Sequence, residues 1–484
     1  MPKADIAAAL RAVVPEDCLL WRDEDRRPYE CDALTAFRQL PAVVALPRTE
    51  EQLRKILLTC SRLEVPLVAR GSGTGLSGGS TPHAQGVLLS CARLNRILEI
   101  DPLARIARVE PGVANLRVSE AAAAHGLYYA PDPSSQVACS IGGNVAENSG
   151  GVHCLKYGLT VHNVLGVRGY TIDGEAIELG GRAPDTPGLD LLSLAIGSEG
   201  LLMVATEVTV KLLPRPPCAQ LVMASFPDVH SAGNAVAAVI AAGIIPAALE
   251  MMDRKATAAV EPFAHAGYDL DAAAILLVES DGTAEEVGEQ IREIESVLRA
   301  AGASTLKVSG SEAERLRWWS GRKNAFPAAG RLSPDYYCMD GTIPRKHVGE
   351  VLSAIERMEE RYGLRCMNVF HAGDGNLHPL ILFDANDPDS WERAERFGTE
   401  ILELCVELGG TITGEHGVGL EKLNPMCVQF SPAERAAFTA VKEAFDPAGL
   451  LNPGKLIPTL ARCAEYGRMR VHQGVLPHAD LPRF

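Results

Sequence analysis

Apolar runs in the N-terminal part of the chain alternate with a segment of helical spacing. Residues 42–46 are an unbroken apolar run typical of a buried strand, residues 65–70 are predicted to be the next strand, and Thr49 is the expected N-cap of a helix between them. Residues 1–37 are predicted to be a helical lead-in of mixed character. After this lead-in, the chain is expected to open as strand, helix, strand.

A proline-rich stretch at residues 211–217 interrupts the pattern and predicts a stiff linker between two domains. Beyond it, segments 229–242 and 284–301 have helical character. Alternating strands and helices would also fit a parallel sheet, but these helices are too few to cover two faces. The pattern favours an α+β cap, with an antiparallel sheet that carries helices on one face. Its predicted strands are 221–226, 247–251, 274–278 and 304–308.

The length of 484 residues is too great for one ordinary core and predicts several domains. We expect a lead-in at 1–37, a cofactor-binding domain at 38–215, a substrate and cap domain with the metal site at 218–440, and a C-terminal segment at 441–484. The last segment should pack on the cofactor-binding domain and end in an irregular tail from residue 460. Apolar residues at 47% and charged residues at 22% are typical of globular proteins.

The charge pattern argues against nucleic acid as a partner, since the net charge is −15 and no long Lys/Arg block occurs. The N-terminus lacks a basic region followed by an apolar run, and no apolar stretch of 18 residues is free of charge. We therefore expect a cytoplasmic protein. Its 12 cysteines include no Cys-x-x-Cys pair, so neither an iron–sulfur cluster nor a zinc ribbon is expected on this chain.

A glycine-dense stretch follows the second predicted strand. Gly73, Gly75 and Gly78 have the Gly-x-Gly-x-x-Gly spacing of nicotinamide dinucleotide sites. That motif must open a helix, whereas here Pro82 and a further strand at 87–90 follow, so we reject a nicotinamide site. A glycine-dense loop between strands instead predicts an anion nest, in which successive backbone N–H groups bind a diphosphate.

Two more segments, 131–151 and 196–202, have the same character. Prolines fix the chain direction, glycines allow close backbone approach, and Asn and Ser side chains suit the polar edge of a flat heterocycle. Three such loops in one domain predict a site for a large dinucleotide.

Two histidines flank a turn in the C-terminal half of the chain. An Asp-Gly pair between them favours a two-residue hairpin, which would place His371 and His378 directly opposite, about 4.5–5.5 Å apart at Cβ. Glu415 would complete a three-ligand site for zinc, iron or a similar ion, with one position open. Histidines in hairpins are often ordinary polar residues, but glycines around Glu415 and His416 can turn both side chains into one cavity.

The three glycine-rich segments resemble the FAD domain of the vanillyl-alcohol oxidase superfamily, the PCMH-type flavoproteins. The resemblance implies FAD, with its diphosphate on residues 70–79 and its ring near residues 131–158. Some members attach FAD through a histidine, for which His153 is the candidate, but the branch described next binds FAD noncovalently and we expect the same here. The implied FAD-binding residues are Arg70, Gly71, Ser72, Gly73, Thr74, Gly75, Ser77, Gly78, Pro131, Asp132, Ser134, Ser135, Gly142, Gly143, Asn144, Ala146, Asn148, Gly150, Gly151, Glu199, Gly200, Val204 and Asn452.

The histidine hairpin, the Gly-Glu-His-Gly stretch and the Leu-Asn-Pro-Gly-Lys stretch at 451–455 resemble the D-2-hydroxy-acid dehydrogenase branch of that superfamily, over essentially the whole chain. Residues 321–326 and 333–344 are most similar to FAD-binding D subunits of bacterial glycolate oxidases (glycolate dehydrogenases). The resemblance implies a second FAD-type subunit and an iron–sulfur subunit as partners, which pass electrons to quinone. Contact with the inner face of the cytoplasmic membrane would then be made through those partners.

The reaction implied by this resemblance is oxidation of glycolate to glyoxylate, and of D-lactate to pyruvate, with hydride transfer to FAD. Zinc, iron or manganese on the three ligands would lower the pKa of the substrate hydroxyl, and His416 would accept its proton. Arg322 would anchor the carboxylate, although a surface role fits its sequence context as well. Cys338 stands where 2-hydroxyglutarate enzymes have a lysine, which favours monocarboxylates here.

Other functions fit parts of the pattern. The chain could be a D-lactate or D-2-hydroxyglutarate dehydrogenase of the same family, or a flavin electron-transfer subunit without its own substrate. A flavin reductase of the cell-wall precursor type shares the FAD domain. The metal-ligand pattern argues against the electron-transfer role, and the rejected nicotinamide site argues against the reductase.

Overall fold

The structure is a computed structural model and describes residues 2–184 and 188–458. The predicted irregular tail and the end of the predicted C-terminal segment lie outside these residues. The described residues form four β-sheets, of which three precede residue 215 and the fourth follows residue 217. The bounds of the four predicted segments stay a prediction.

A four-stranded sheet and three helices form the N-terminal layer. Its elements are β1 (Leu19–Leu20), β2 (Val43–Ala45), β3 (Leu67–Arg70), β4 (Val87–Ser90), α1 (Lys3–Arg11), α2 (Asp23–Arg26) and α3 (Glu50–Arg62). The strand order is β1-β2-β4-β3, and β2 and β3 both run parallel to β4. Thr49 caps α3 by accepting a hydrogen bond from the Gln52 N–H. The predicted opening of strand, helix, strand is confirmed.

A second, antiparallel sheet has the order β5-β6-β10-β8-β9, and β11 pairs with β7. The elements of this layer are β5 (Ile97–Asp101), β6 (Ile106–Val109), β7 (Leu127–Tyr128), β8 (Val164–Tyr170), β9 (Ala176–Gly180), β10 (Val204–Lys211), β11 (Leu213–Pro214), α4 (Asn115–Ala122), α5 (Ile141–Glu147), α6 (Cys154–Tyr157), α7 (Thr160–Asn163) and α8 (Leu191–Ala195). The first part of the predicted linker therefore belongs to this layer, since β11 pairs back onto it.

The fourth sheet has seven strands, all antiparallel, in the order β15-β12-β14-β13-β17-β18-β16. Its strands are β12 (Cys218–Phe226), β13 (Ala248–Asp253), β14 (Ala274–Gly282), β15 (Thr305–Val308), β16 (Asp335–Cys338), β17 (Arg365–Phe370) and β18 (Pro379–Phe383). The helices are α9 (Val229–Ala241), α10 (Arg254–Ala264), α11 (Ala284–Ala300), α12 (Glu312–Lys323), α13 (Ala325–Ala329), α14 (Val348–Tyr362), α15 (Ser390–Glu407), α16 (Met426–Gln429) and α17 (Pro432–Phe445). The predicted antiparallel sheet is confirmed.

Helices pack on both faces of this sheet. The long helices α9, α11, α14 and α15 share one apolar core with strand residues such as Phe226 and Phe370, and they form the predicted layer. The shorter helices α10, α12 and α13 were not predicted. They share a second core with Met252, since Trp318 and Trp319 of α12 are buried against the opposite face of the sheet.

The chain returns to the first sheet at its C-terminal end. Leu451 bridges Leu67 in parallel, and both chain neighbours of Leu451 exchange backbone hydrogen bonds with Leu67. Leu450 and Leu451 are buried in the core of the N-terminal layer. Among the helices within 2–184 and 188–458, none has the length and apolar character that crossing a membrane would require.

Candidate functional site

The first glycine-rich segment, residues 71–79, follows β3 without forming a helix, as predicted. It wraps around the Arg70 guanidinium, which donates a hydrogen bond to the carbonyl of Cys31 at 2.7 Å. Gly73 has φ +73°, and a Cβ at this position would overlap the guanidinium, so only glycine fits. This close wrapping places residues 70–76 along the wall of a deep cavity.

The second segment was predicted to be a loop, which is wrong for its central part, because Ile141–Glu147 form α5. Ser140 caps this helix by accepting a hydrogen bond from the Gly143 N–H at 3.3 Å. Gly142 lies so close to Pro111 that a side chain would not fit. The glycines therefore serve tight helix packing beside the cavity as well as turns.

The third segment, the loop between α8 and β10, is hydrogen-bonded to the two residues that follow the Gly-Glu-His-Gly stretch. Glu199 has φ +51°, and its carboxylate accepts hydrogen bonds from the N–H groups of Val418 and Gly419 at 2.7 and 2.8 Å. This contact joins the glycine-rich segments of the first half of the chain to the histidine cluster of the second half.

One cavity runs from the glycine-rich segments to His378, Glu415 and His416. The predicted FAD-binding residues that line it are Arg70, Gly71, Ser72, Gly73, Thr74, Gly75, Ser134, Ser135, Gly142, Gly143, Asn144, Ala146, Glu199, Gly200 and Val204. The predicted residues that lie outside its lining are Ser77, Gly78, Pro131, Asp132, Asn148, Gly150, Gly151 and Asn452.

Asn452 connects two of the glycine-rich segments that line the cavity, although it does not line the cavity itself. Its side-chain amide donates to the carbonyls of Gly79 at 3.0 Å and Glu199 at 2.6 Å, and its Oδ1 accepts from Lys455 Nζ at 2.6 Å. The side chain thus clamps the first glycine segment to the third. Its predicted role in FAD binding stays a prediction.

His153 does not line the cavity. Its Nδ1 lies 2.8 Å from Asp132 Oδ2, and its Nε2 lies 3.3 Å from Glu279 Oε1 of β14. Both ring nitrogens are therefore engaged by carboxylates. This arrangement favours the expectation that FAD is held noncovalently.

The register of the histidine hairpin differs from the prediction. The ladder ends with Asn368 opposite Pro379, and His371 pairs with Asn376, so His371 and His378 are not directly opposite. The predicted two-residue hairpin is wrong. A wider turn forms because the aspartate of the Asp-Gly pair accepts the Asn376 N–H and the glycine takes φ +83°. The two imidazole centroids still lie 5.0 Å apart.

Three side chains from the hairpin and the later loop converge on one point. His371 Nε2 and His378 Nε2 each lie 3.3 Å from Glu415 Oε1, and all three ligand atoms lie within 4.8 Å of one another. Burial alone would raise the pKa of Glu415, but hydrogen bonding to His371 and the charges of the histidines lower it to about 2. Within the described residues, Nδ1 of the buried His378 has no hydrogen-bond partner, and its Nε2 has only ion-pair contacts, with Glu415 at 3.3 Å and Asp340 at 3.5 Å. This is a donor set that fits a divalent metal.

Glu250 of β13 contacts Nδ1 of His371, on the side of the ring opposite to Glu415. Its carboxylate lies 2.8 Å from His371 Nδ1 and 2.6 Å from Arg322 Nη2. Burial would raise the pKa of Glu250, but the charges of His371 and Arg322 lower it. The contact favours the tautomer with the proton on Nδ1, which leaves the Nε2 lone pair for a metal.

Arg322 was predicted to anchor the substrate, yet it lies outside the cavity lining and is almost wholly buried against Glu250. Its Nε has no hydrogen-bond partner in the described part of the chain. The next residue, Lys323, lines the cavity. The anchoring role of Arg322 stays a prediction.

Asp340 organises the loop that carries Glu415 and His416. Its carboxylate accepts hydrogen bonds from the backbone N–H groups of Gly414, Glu415 and His416 at 2.9–3.1 Å, and from Lys422 Nζ at 3.2 Å. Burial would raise the pKa of Asp340, but the charges of His416 and Lys422 hold it well below its usual value. The loop thereby turns Glu415 and His416 towards one cavity, as predicted.

Asp340, His378 and His416 form a second group whose ligand atoms lie within 4.8 Å of one another. The oxygens of Asp340, however, already accept several hydrogen bonds from the backbone and Lys422. His371, His378 and Glu415 are therefore the better candidates for metal ligands, since their facing atoms are not shared with such donors.

His416 stacks on His378 with centroids 4.9 Å apart and an interplanar angle of 5°. Its Nδ1 is buried and, among the described residues, has no hydrogen-bond partner. Burial lowers the pKa of His416 to about 4, the charges of His378 and Lys422 act in the same direction, and Asp340 opposes them. The imidazole is thus neutral at pH 7, as a proton acceptor must be, and the same shift makes it a weaker base than an ordinary histidine.

Sequence reasoning missed four residues of the site: Glu250, Asp340, Glu147 and Lys323. Glu250 interrupts an apolar strand, and an isolated acid in such a run is a usable signal of a buried polar partner. Asp340 and Lys323 lie in stretches that carry the family resemblance but gave no independent signal. Glu147 was missed because it lies among glycines and asparagines, and that composition predicted a loop.

Two family models match the chain. Residues 41–180 match the FAD binding domain model, and residues 215–456 match the model of FAD linked oxidases, C-terminal domain. The chain is 60% identical over 482 residues to the glycolate oxidase subunit GlcD of Escherichia coli K12, covering 100% of this chain and 97% of that protein. The chain belongs to the FAD-linked oxidases. Another relative is the D-lactate dehydrogenase of Archaeoglobus fulgidus, 32% identical over 425 residues, which cover 86% of this chain and 92% of the relative.

As an FAD-linked oxidase, the chain is an oxidoreductase with an FAD-binding domain, which confirms the resemblance stated for its motifs. Its fold is shared with p-cresol methylhydroxylase, with a TM-score of 0.80 at 18% identity, covering 94% of this chain and 97% of that structure. The predicted PCMH-type fold with an α+β cap is confirmed.

Proposed function

We propose that this FAD-linked oxidase oxidises small D-2-hydroxy acids: glycolate to glyoxylate, and D-lactate to pyruvate. The observation that carries the proposal is the single cavity joining the glycine-rich segments to His378, Glu415 and His416. The relatives named glycolate oxidase subunit and D-lactate dehydrogenase support this substrate class. They also keep a D-lactate dehydrogenase as the second candidate.

The cavity suits noncovalent FAD. Its wall carries successive backbone positions of residues 70–76 beside Arg70, which fits a diphosphate. The residues Asn144, Ser134 and Ser135 offer neutral hydrogen-bonding groups to a heterocycle farther along the wall. FAD would supply a hydride acceptor beside the substrate.

The metal position suits zinc, iron or manganese, held by His371, His378 and Glu415. The buried His378 Nε2 supports a bound ion, because it lies 3.3 Å from Glu415 Oε1 without a hydrogen bond of good geometry, and an unsatisfied buried polar group is costly. The ion would act as a Lewis acid on an oxygen of the substrate. Glu250 would hold His371 in the ligating orientation.

His416 would accept the proton of the substrate hydroxyl. It lines the cavity, stacks beside the ligand His378 and is neutral at pH 7, because burial lowers its pKa to about 4. The Asp340 carboxylate would keep it in place through its backbone N–H.

Lys323 at the cavity wall would attract the substrate carboxylate, and anchoring by Arg322 would require its partnerless Nε to reach the cavity from its buried position beside Glu250. Lys323 has no ion-pair partner in the residues that the structure describes. Cys338 is buried and brings no second cation, which supports a preference for monocarboxylates over 2-hydroxyglutarate.

The assembly we propose contains a second FAD-type subunit and an iron–sulfur subunit, which would take electrons towards quinone. The subunit wording in the name of the Escherichia coli relative supports a multi-subunit complex. A cytoplasmic location, with contact to the inner face of the membrane through these partners, completes the proposal.

Dye-linked turnover of the purified, FAD-loaded chain tests this function. Glycolate and D-lactate should be oxidised, L-lactate should be inert, and turnover should fall at least tenfold after chelation and return with one of the three metals. Turnover that is indifferent to chelation would remove the metal from the proposal. Turnover of L-lactate in place of D-lactate would contradict the assigned substrate class.

A further inference from the structure

Glu147, the last residue of α5, lies between two segments of the site. A Cβ built on Gly79, at the end of the first glycine segment, would lie 2.7 Å from Glu147 Oε1. A Cβ built on Gly417, which follows His416, would overlap Glu147 Oε2. The carboxyl group therefore fills the space between these two glycines, and the residue lines the cavity.

This carboxyl group has no hydrogen-bonding or ion-pair partner in the described part of the chain, and its Oε2 is fully buried. The nearby backbone and lysine donors bind other acceptors, whereas the buried Ser77 Oγ, which also lies beside Gly79, has no hydrogen-bond partner in the described residues. The N–H groups of Val418 and Gly419 donate to Glu199. Lys422 Nζ donates to Asp340 and to the Gly417 carbonyl. Lys455 Nζ donates to backbone carbonyls and to Asn452. No mechanistic role has so far been given to Glu147.

The electrostatic surroundings of Glu147 favour its protonated form. Burial and the negative charges of Glu199 and Asp32 raise its pKa well above the ordinary value, while the charges of Lys422 and Lys455 oppose them. A protonated carboxyl is a hydrogen-bond donor, and this one has no acceptor in the described protein. Its position between Gly79, at the end of the first glycine segment, and Gly417, which follows His416, puts it where that segment meets the histidine cluster.

We propose that Glu147 donates a hydrogen bond from its protonated carboxyl group to the flavin bound in this cavity and thereby makes the flavin easier to reduce. Reduction increases the electron density of the ring, so a donor stabilises the reduced form more than the oxidised form. The inference rests on the proposed function only in requiring FAD in the cavity. It is independent of which acid is the substrate.

The reduction potential of the bound FAD tests this role, measured at pH 7 by equilibration with a reference dye. E147Q keeps a donor of the same shape, whereas E147M keeps the length and removes the donor. We expect E147Q to stay within about threefold of the wild-type equilibrium constant for reduction. E147M should lower that constant about tenfold, which is about 30 mV for a two-electron couple. E285Q, at an exposed position of α11, is the matched control and should show no shift.

Two results would overturn the proposal. If E147Q and E147M both raise the potential, the group is an ionised carboxylate that opposes reduction. If neither changes it, Glu147 does not contact the flavin. Neither result affects the proposed function, whereas a chain that binds no FAD would defeat the proposed function itself.

Infrared difference spectroscopy of the wild-type protein gives a second test that does not depend on E147M folding. The carbonyl stretch of a protonated carboxyl group should shift when the flavin is reduced, and this band should be missing in E147Q. A wild-type spectrum without such a band would also overturn the proposal.

Discussion

The two ring nitrogens of His371 face two different carboxylates, Glu250 and Glu415. Burial would lower the pKa of His371, but Glu250 first, and then Glu415, raise it well above its ordinary value. The same concentration of negative charge that favours a proton on this ring also favours a divalent cation at its Nε2. Charge therefore agrees with geometry at the proposed metal position.

Replacement of His416 by alanine tests the proposed base. Turnover should fall by about 10²–10⁴-fold, because a positioned general base contributes about that much. The flavin spectrum and the metal content should not change, since His416 is not a proposed ligand. His125→Ala, at an exposed position, is the control. Full turnover by the His416→Ala protein would remove the assignment.

Replacement of Arg322 by methionine separates two roles of this buried guanidinium. If Nε anchors the substrate, the KM for glycolate should rise about tenfold or more, since a hydrogen bond to a charged group contributes about 1.5–3 kcal/mol. Lys323→Met should raise KM less, because an exposed charge contributes about 0–1 kcal/mol. A normal KM with reduced metal content would mean that Arg322 acts only through Glu250 and His371.

Sequence spacing identified the residue types of the site but not their partners. His371, His378, Glu415 and His416 were found because they stand close together in short motifs. Glu250 lies 121 residues from His371 along the chain, so no local pattern could pair them. The burial of Arg322 could not be predicted from the sequence either, because it depends on the packing of α12 against the sheet.

At the scale of elements, the loop around Asp340 explains why Glu415 and His416 share a cavity. Backbone N–H groups of Gly414, Glu415 and His416 converge on one buried carboxylate, much as donors converge on an anion. The orientation of a metal ligand and of the proposed base thus depends on one side chain outside their own segment.

An Asp340→Asn substitution should disrupt this loop. It removes one of the two buried carboxylates that pair with Lys422, the other being Glu421, and this should lower the free energy of unfolding by about 1.5–3 kcal/mol. Metal content after dialysis should also fall, because Glu415 loses its backbone support. Asp335→Asn, near the surface on β16, is the control and should do neither. An unchanged melting temperature together with full metal content would contradict this account.

The elements themselves were predicted best where apolar periodicity is strong. β2, α3, α9 and β14 were expected near their observed bounds, because each buries one continuous face. The helix α5 was missed because its glycines have low intrinsic helix propensity and the helix is stabilised by packing on Pro111. The hairpin register was not predicted because the turn depends on a hydrogen bond to the aspartate side chain and on the positive φ of the glycine. The spacing of the histidines shows neither.

At the scale of the whole molecule, His153 joins the cofactor-binding layer to the cap. It lies between Asp132 on the cofactor side and Glu279 on the cap sheet, and Glu279 is also 2.6 Å from Arg315. Burial would lower the pKa of His153, but the two carboxylates, Asp132 foremost, raise it well above its ordinary value. The two carboxylates therefore favour the protonated histidine, which links the two halves.

The contribution of His153 to stability should depend on pH. Because its pKa is raised in the folded state, the stabilisation is fully present below the unfolded pKa of about 6.5 and is lost as the pH rises through the folded pKa. His153→Gln should cost about 1.5–3 kcal/mol at pH 6 and progressively less at alkaline pH, measured by denaturant unfolding. His347→Gln, which removes a surface pairing with Glu350, should cost little at any pH. A cost for His153→Gln that grows with pH would contradict the assignment.

An anaerobic visible spectrum of the FAD-loaded chain, before and after adding single hydroxy acids, tests the central claim most directly. Glycolate and D-lactate should each bleach the oxidised flavin band in one turnover, while L-lactate and D-2-hydroxyglutarate leave it unchanged or bleach it far more slowly. This result would place the reductive half-reaction on this chain alone. A flavin band that none of these acids bleaches would contradict the account and move the chemistry to another substrate or to a partner subunit.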